Sequence, residues 1–345
     1  MAELQNLSGL LAEIKALIDE AKATVAQTVN ASLTAMYWNV GNRINKDVLG
    51  NRRAEYGEKV VEHLAQALTQ EYGKGWSKKQ LQHCLRFAET FPNLEIVSAL
   101  WRQLSWTHFK TIMYLKTDLE RDFYAQMCRV ERWSSRTLQS KIDSMLFERT
   151  AISKKPEELA KQELKALEKD DTLSPDLVFK DHYVLDFLGL KDAYSERDLE
   201  TTIIRELESF LLELGGGFTF VARQKRMVID NEDFYLDLLF YHRKLKRLIA
   251  LDLKIGKFKA AYKGQMELYL RWLDKNEVEE GEEKPIGLIL CAEGNHEQIE
   301  LLQLDEANIK VAEYITQQLP KELLEKKLHQ FTEKAKRLVE GRGEE

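Results

Sequence analysis

Residues Phe234 to Lys254 leave this chain little choice of local structure. Two runs dense in leucine, isoleucine and aromatic residues, Phe234–Tyr241 and Arg247–Lys254, flank a short basic turn. Runs of this length around a polar turn suit paired strands better than helices. Each run holds an acid where a buried strand should have none, Asp237 in the first and Asp252 in the second. Lys254 stands two residues beyond Asp252, so in a strand the two side chains share a face. An uncompensated charge in that setting costs on the order of several kcal/mol. Either the three groups neutralise one another or they hold a metal ion.

At 345 residues the chain is long for one core, and two domains are expected. With 44% hydrophobic and 31% charged residues it reads as a soluble globular protein. No apolar run approaches the ~20 residues of a membrane span, so no membrane partner is expected. The start, Met1-Ala-Glu-Leu4, lacks the basic and apolar regions of a secretory signal. Cys84, Cys128 and Cys291 are odd in number and form no CxxC pair, which predicts a reducing, cytoplasmic setting and no thiolate metal site. The net charge of −6 argues weakly against a polyanionic partner, but the charge is unevenly spread.

Apolar positions at helical spacing run from Leu4 through Val29 to Met36, Trp38 and Val40, which predicts a long amphipathic helix. Gly41 and Gly50 weaken it, with a break expected near the second. Another helix is expected over 58–71, closed by Gly73 and Gly75. Trp76-Ser-Lys-Lys-Gln-Leu81 reads as a full helix start, with Ser77 as N-cap, Gln80 as its reciprocal partner, and Trp76 and Leu81 as a hydrophobic staple. Related starts occur at Leu104–Phe109 and Trp133–Leu138. Residues 1–150 therefore read as an all-α domain. Between Tyr72 and Arg149 thirteen Lys/Arg stand against eight Asp/Glu. The helix after Ser77 carries Lys78, Lys79 and Arg86 beside Gln80, Gln82 and His83, the composition of a recognition helix of the helix-turn-helix kind. An ordinary solvated helix face has the same composition.

Residues 151–176, Lys/Glu-rich between Pro156 and Pro175, read as a linker with a short helix inside, and 177–345 as the second domain. There a helix from Ser195 to Leu214 stops at Gly215-Gly-Gly217. Strands follow at Phe218–Arg226, Phe234–Tyr241 and Arg247–Lys254, then a helix over 262–273, an acidic loop and a strand at Pro285–Cys291. A last helix is expected at Lys321–Val339. The order αβββαβ makes the chain an α+β protein whose second domain is a mixed sheet flanked by helices.

Asp237 and Asp252 offer hard oxygen ligands of the kind that suit Mg²⁺ or Mn²⁺. Lys254 beside them would orient the attacking water and offset phosphate charge. Glu200 is the candidate third carboxylate, with Glu196 one turn earlier. Gln265 could support the lysine or the scissile group. From Arg243 to Lys263 there are eight Lys/Arg and one acid, Asp252. Arg243, Lys244, Lys257 and Lys259 are the expected contacts of a phosphate backbone.

The Asp…Asp-x-Lys pattern in this element order resembles the PD-(D/E)xK nuclease superfamily. Flanking segments resemble the YhcG-type bacterial family: Ser195-Glu-Arg-Asp-Leu-Glu200, Phe210-Leu-Leu-Glu-Leu-Gly215, Phe218-Thr-Phe-Val-Ala-Arg-Gln224, Phe234–Arg243 and Gly287–Cys291. In the first half, Tyr37-Trp-Asn-Val-Gly41 and the Trp-Ser helix starts extend the resemblance. It implies a helical, winged-helix-like first domain joined to a restriction-endonuclease-like second one. Metal acids carry over to Asp237 and Asp252, the lysine to Lys254 and the helix glutamate to Glu200. Gln224 matches a family position without an assigned role. The chain departs from the pattern at Asp252, where relatives often have Glu, and at Ala260-Ala261, where Pro-Glu is common.

The resulting expectation is a divalent-metal-dependent nuclease, acting on DNA ahead of RNA, with a role in foreign-DNA defence or DNA processing drawn from the superfamily. Pairing of two copies into a homodimer through the long N-terminal helices would let both strands be cut. The alternative is a non-catalytic DNA-binding or assembly protein in which Asp252 and Lys254 are merely paired.

Overall fold

The computed structural model describes residues 28–46, 54–93, 104–190, 194–294 and 296–317, with positions 15, 25, 322–324, 326 and 328 besides. The helix expected before residue 28, the break near Gly50 and most of the helix expected at 321–339 lie outside them. The chain divides into two compact units, Met1–Ser140 and Lys141–Glu345.

In the first unit every regular element among the described residues is helical: α1 (28–46), α2 (Ala54–Tyr72), α3 (Lys78–Thr90), α4 (Trp106–Ile112), α5 (Asp118–Glu131) and the start of α6 (Ser135–Asp143). No strand occurs among them, so they supply no β-wing. Ser77 caps α3 as expected, its Oγ accepting the Gln80 amide at 3.3 Å. The reciprocal half of the box gives way to a contact between the Gln80 side chain and Cys84 Sγ. At Ser105 the returning partner is a histidine, and Ser105 N donates to His108 Nδ1 at 3.1 Å.

Gly41, expected only to weaken α1, marks its crossing with α3. A Cβ there would lie 1.9 Å from the carbonyl oxygen of Cys84. Gly41→Ala should therefore force the helices apart and lower stability by about 1–3 kcal/mol, read as a lower urea midpoint at unchanged slope.

In the second unit residues 151–176 are folded structure rather than a linker. Helix α8 (Glu157–Asp170) buries Ala160, Leu164 and Leu167, and follows the short α7 (Leu146–Arg149). After α9 (Pro175–Val178), β1 (His182–Val184) begins a six-stranded sheet. The expected helix over 195–214 is broken at Glu206 into α10 (Glu196–Arg205) and α11 (Leu207–Leu214). Next come β2 (Phe218–Ile229), β3 (Glu232–His242), β4 (Arg247–Lys257), α12 (Ala261–Asn276), β5 (Ile286–Glu293), α13 (His296–Leu301) and β6 (Ile309–Ile315). The expected αβββαβ order is therefore present, with β1 and β6 added. The strand order is β1-β6-β5-β4-β3-β2. Strands β2, β3 and β4 are antiparallel, and β4, β5, β6 and β1 are parallel, so the sheet is mixed.

Helix α12 makes the crossover between parallel β4 and β5, and packs Met266, Tyr269, Leu270 and Leu273 against Leu248, Ala250 and Ile289 of the sheet. From α11, Phe210 meets Phe240 of β3 with ring centroids 6.1 Å apart. A buried charge cluster ties the start of this unit to α11. Arg149, 1% exposed, and Lys180, 3% exposed, converge on the Glu213 carboxylate, which also accepts Val184 N at 2.9 Å. Burial pushes Lys180 down to about 7. Burial also works against the Glu213 charge, but Lys180 and Arg149 outweigh it and hold the carboxyl below its usual range. Arginine keeps its proton, so of the two cations sharing one carboxylate it is the lysine that gives way.

Candidate active site

The antiparallel ladder between β3 and β4 runs from His242↔Arg247 to Leu238↔Leu251 and goes no further. Asp237 and Asp252 are the first residues beyond its last pair, where the two strands separate. Separation leaves backbone groups without strand partners, and these must be satisfied elsewhere. Asp237 does so for one of them, its Oδ2 accepting Leu253 N at 2.8 Å. The sequence places an acid inside an apolar run because the carboxylate takes over a backbone position there.

Asp252 is 3% exposed, and its Oδ2 lies 2.8 Å from Lys254 Nζ. Lys254 stands over the Tyr262 ring at 5.2 Å, and its carbonyl accepts from Tyr314 Oη at 3.3 Å. The carboxyls of Asp252 and Asp237 are close enough to hydrogen-bond. Burial, then the neighbouring Asp252 charge, pushes Asp237 up to about 6. Burial raises Asp252 as well, against the pull of Lys254. For Lys254, burial opposes the ammonium, but Asp252 outweighs it and holds the lysine above its ordinary range. Two buried acids side by side form a local excess of negative potential, and one lysine answers part of it.

Glu200, on α10 and 5% exposed, reaches this pair through another residue. Gln224 Nε2 donates to Glu200 Oε2 at 2.8 Å and to Asp237 Oδ1 at 3.1 Å, so a single amide bridges the two carboxylates. Arg223 Nε donates to the other Glu200 oxygen at 2.5 Å. Strand alternation would send Arg223 and Gln224 to opposite faces. Both reach Glu200 because Gln224 has a left-handed backbone (φ 48°), and the alternation of exposure along β2 slips a step there. A non-glycine residue in that conformation is strained, and such strain clusters at functional positions. Arg223 is a residue the sequence reading missed, and strand alternation, the one signal at hand, pointed away from it.

The remaining candidates fall apart spatially. Gln265 Nε2 donates to Tyr269 Oη at 2.7 Å, so it positions that phenol rather than Lys254. Lys257, at the end of β4, is paired with Glu293 at 2.7 Å. Lys259 follows it toward α12. Arg243 and Lys244 sit in the β3–β4 turn, six and seven residues from Asp237 and so roughly 20 Å away along the strand. A hairpin makes them neighbours in sequence but places them at the opposite end of the sheet. In the first unit Lys78 is held by Glu58 at 3.0 Å and Glu62 at 3.9 Å, while Lys79 and Arg86 form no ion pair among the described residues.

Asp237 and Asp252 offer hard oxygen donors around a patch of unbalanced negative charge, the donor chemistry that a divalent cation takes. Among the described residues no set of three His, Cys, Asp or Glu side chains forms a ready-made metal cage. An ion held by two carboxylates, with water and substrate oxygens completing its shell, is the usual arrangement for Mg²⁺.

A mixed sheet with helices on both faces, and two acids and a lysine where its antiparallel strands part, defines a restriction-endonuclease-like domain that follows a helical first unit in the sequence. Residues 176–329 match the family described as YhcG PDDEXK nuclease domain, and residues 13–149 match the DUF1016 N-terminal domain. The chain is 34% identical over 307 residues, 80% of its own length and 81% of the relative's, to "Putative nuclease YhcG" of Escherichia coli (strain K12). It belongs to the YhcG family. Two solved structures overlap part of it: a repair endonuclease from Pyrococcus abyssi (18% identity, TM-score 0.26) and EndoMS in apo form (16%, TM-score 0.25). Each overlap covers 38% of this chain, and 50% and 49% of the other chain respectively. No helix among the described residues is long and apolar enough to cross a membrane.

Proposed function

We propose that this chain is a divalent-metal-dependent nuclease that hydrolyses phosphodiester bonds, in DNA ahead of RNA. The reading rests on one observation above the others, the Asp237–Asp252 pair at the parting of β3 and β4 with Lys254 on its flank. A bound Mg²⁺ or Mn²⁺ would supply charge neutralisation and a more acidic water at the scissile phosphate. Asp237 and Asp252 hold that position. Lys254, kept protonated by Asp252, offsets charge on the phosphate oxygens as they gain it in the transition state. Gln224 fixes the orientation of Asp237 through a neutral amide, and Glu200, itself held by Arg223, fixes Gln224. Lys79 and Arg86 on α3 contact the phosphate backbone. Defence against foreign DNA or DNA processing is the setting this chemistry suits.

Purified protein should cut plasmid or oligonucleotide substrates when Mg²⁺ or Mn²⁺ is added and stop when the ion is chelated. Lys254→Ala should lower the rate by about 10²-fold or more, the scale of losing one charge-stabilising group. Equal rates with and without the lysine would remove it from the mechanism. The 2.8 Å Lys254–Asp252 contact favours a second reading, in which the charges neutralise each other and the domain is structural. That reading expects no heat of Mn²⁺ binding in calorimetry, and a stoichiometric site abolished by Asp237→Ala would reject it.

A further inference from the structure

The first unit carries a surface of which the proposed function uses only two cations, Lys79 and Arg86, as phosphate contacts. Along α3, Lys79, His83 and Arg86 follow one another at i, i+4 and i+7 and therefore share a face. Helix α4 packs beside it, with Phe87 held between Trp106 and Phe109 at ring distances of 5.3 and 4.9 Å. Lys110 lies near the end of α4, and Tyr114 follows four residues later, just past the helix. The tyrosine is 55% exposed, although nothing in an ordinary surface requires a large ring to stand in water. It is held upright from the side: His83 Nδ1 is 2.9 Å from Tyr114 Oη, and the two rings meet edge to face. The Arg86 guanidinium lies 5.9 Å from the Tyr114 ring centre. His83 sits below its usual range through burial and the neighbouring charges of Lys110 and Lys79, which places both lysines around the same spot. Residues 78–88 and 104–117 contain five Lys/Arg and no Asp/Glu. Of these, Lys78 is already engaged by Glu58.

We propose that this face binds an unpaired stretch of nucleic acid, Tyr114 stacking on one base while Lys79, Arg86 and Lys110 take the flanking phosphates. The proposal rests on the reading that the chain acts on nucleic acid and narrows it to single-stranded segments. In a duplex the base faces are covered by their neighbours, so a protein meets only base edges and backbone. An unpaired strand offers base faces, and an exposed ring set among cations answers both the face and the phosphates. A basic recognition helix alone would need no aromatic ring at its centre. An acidic peptide would match the charges and leave the ring without a role.

The test is fluorescence anisotropy with the full chain in a chelating buffer, using labelled oligothymidine, oligouridine and a blunt DNA duplex. Single strands should bind more tightly than the duplex. Tyr114→Ala should weaken single-strand binding about 5- to 100-fold, and Tyr114→Trp should restore it. Changing Lys79, Arg86 and Lys110 together to Gln should flatten the slope of log affinity against log salt. The proposal is overturned if Tyr114→Ala binds as the parent does, if the duplex binds more tightly than either single strand, or if polyglutamate displaces the oligonucleotide at equal charge. Because binding is read without metal, the two readings fail separately. Tyr114-dependent binding with no metal-dependent cleavage supports this face and sinks the nuclease, whereas cleavage with Tyr114-independent binding does the reverse.

Discussion

Replacing Asp237 by Asn should abolish metal-dependent cleavage and, without metal, stabilise the protein at neutral pH. The two effects have one origin. In the folded chain burial and Asp252 raise the Asp237 carboxyl from an ordinary 3.8 to about 6. The folded state therefore holds a proton more tightly than the unfolded one. The stability this proton contributes is present in full below about pH 4 and is lost as pH rises through 6. Above pH 6 the ionised acid destabilises the wild-type fold by up to about 3 kcal/mol, the equivalent of that shift. Asparagine carries no such charge, and its Oδ1 can still accept from Leu253 N, at the smaller cost of the Gln224 hydrogen bond, whose donor then faces the new amide nitrogen. Thermal melts without divalent ions should show the variant ahead of wild type at pH 8, with the gap closing by about pH 4. Added Mn²⁺ should raise the wild-type melting temperature alone. Cleavage should fall by more than about 10²-fold, since losing a residue that merely supports a ligand already costs about 10- to 100-fold. A variant less stable than wild type at pH 8 would mean that the acid pair is not under electrostatic stress.

Glu213→Gln should do the opposite and leave the protein barely folded. Arg149 and Lys180 are buried and depend on that carboxylate. Removing one partner of a buried charge set typically costs about 3–5 kcal/mol, because the other charge is left uncompensated. Lys180, already near 7, can shed its proton, whereas Arg149 cannot. Most of the loss should therefore be independent of pH, with partial recovery where the lysine goes neutral, which without the Glu213 charge happens below its present value of about 7. Urea unfolding at pH 6 and pH 9 would show this, and a variant within about 1 kcal/mol of wild type would mean that water compensates the arginine.

The strands around the site were legible because apolar, branched and aromatic residues crowd Phe218–Arg226, Phe234–Tyr241, Arg247–Lys254 and Pro285–Cys291. Asp237, Asp252 and Lys254 stood out because charge is costly in such runs. Other features left no such mark. Strand β1 has three residues, too few to display a period, and β6, Ile309-Lys-Val-Ala-Glu-Tyr-Ile315, mixes charge and apolar residues as a helix face would. The basic cluster around the hairpin looked continuous because sequence distance ignores that a turn carries Arg243 and Lys244 away from the acids. The link from Glu200 to Asp237 depends on one backbone angle at Gln224, which no residue pattern encodes. Gly41 illustrates the same limit: a residue chosen for what it lacks resembles one that weakens a helix.

The hydrogen bond from Leu253 N to Asp237 gives the site an internal gauge. Most amides in a sheet are protected from isotope exchange by carbonyls, whose strength does not change with pH or ligand. This one is protected by a carboxyl that burial and Asp252 raise to about 6, and that is proposed as a cation ligand. Its deuterium uptake therefore follows the ionisation and occupancy of Asp237 even when no bond is being cut. A single backbone position, followed by NMR or mass spectrometry, reports the state of the acid pair apart from catalysis.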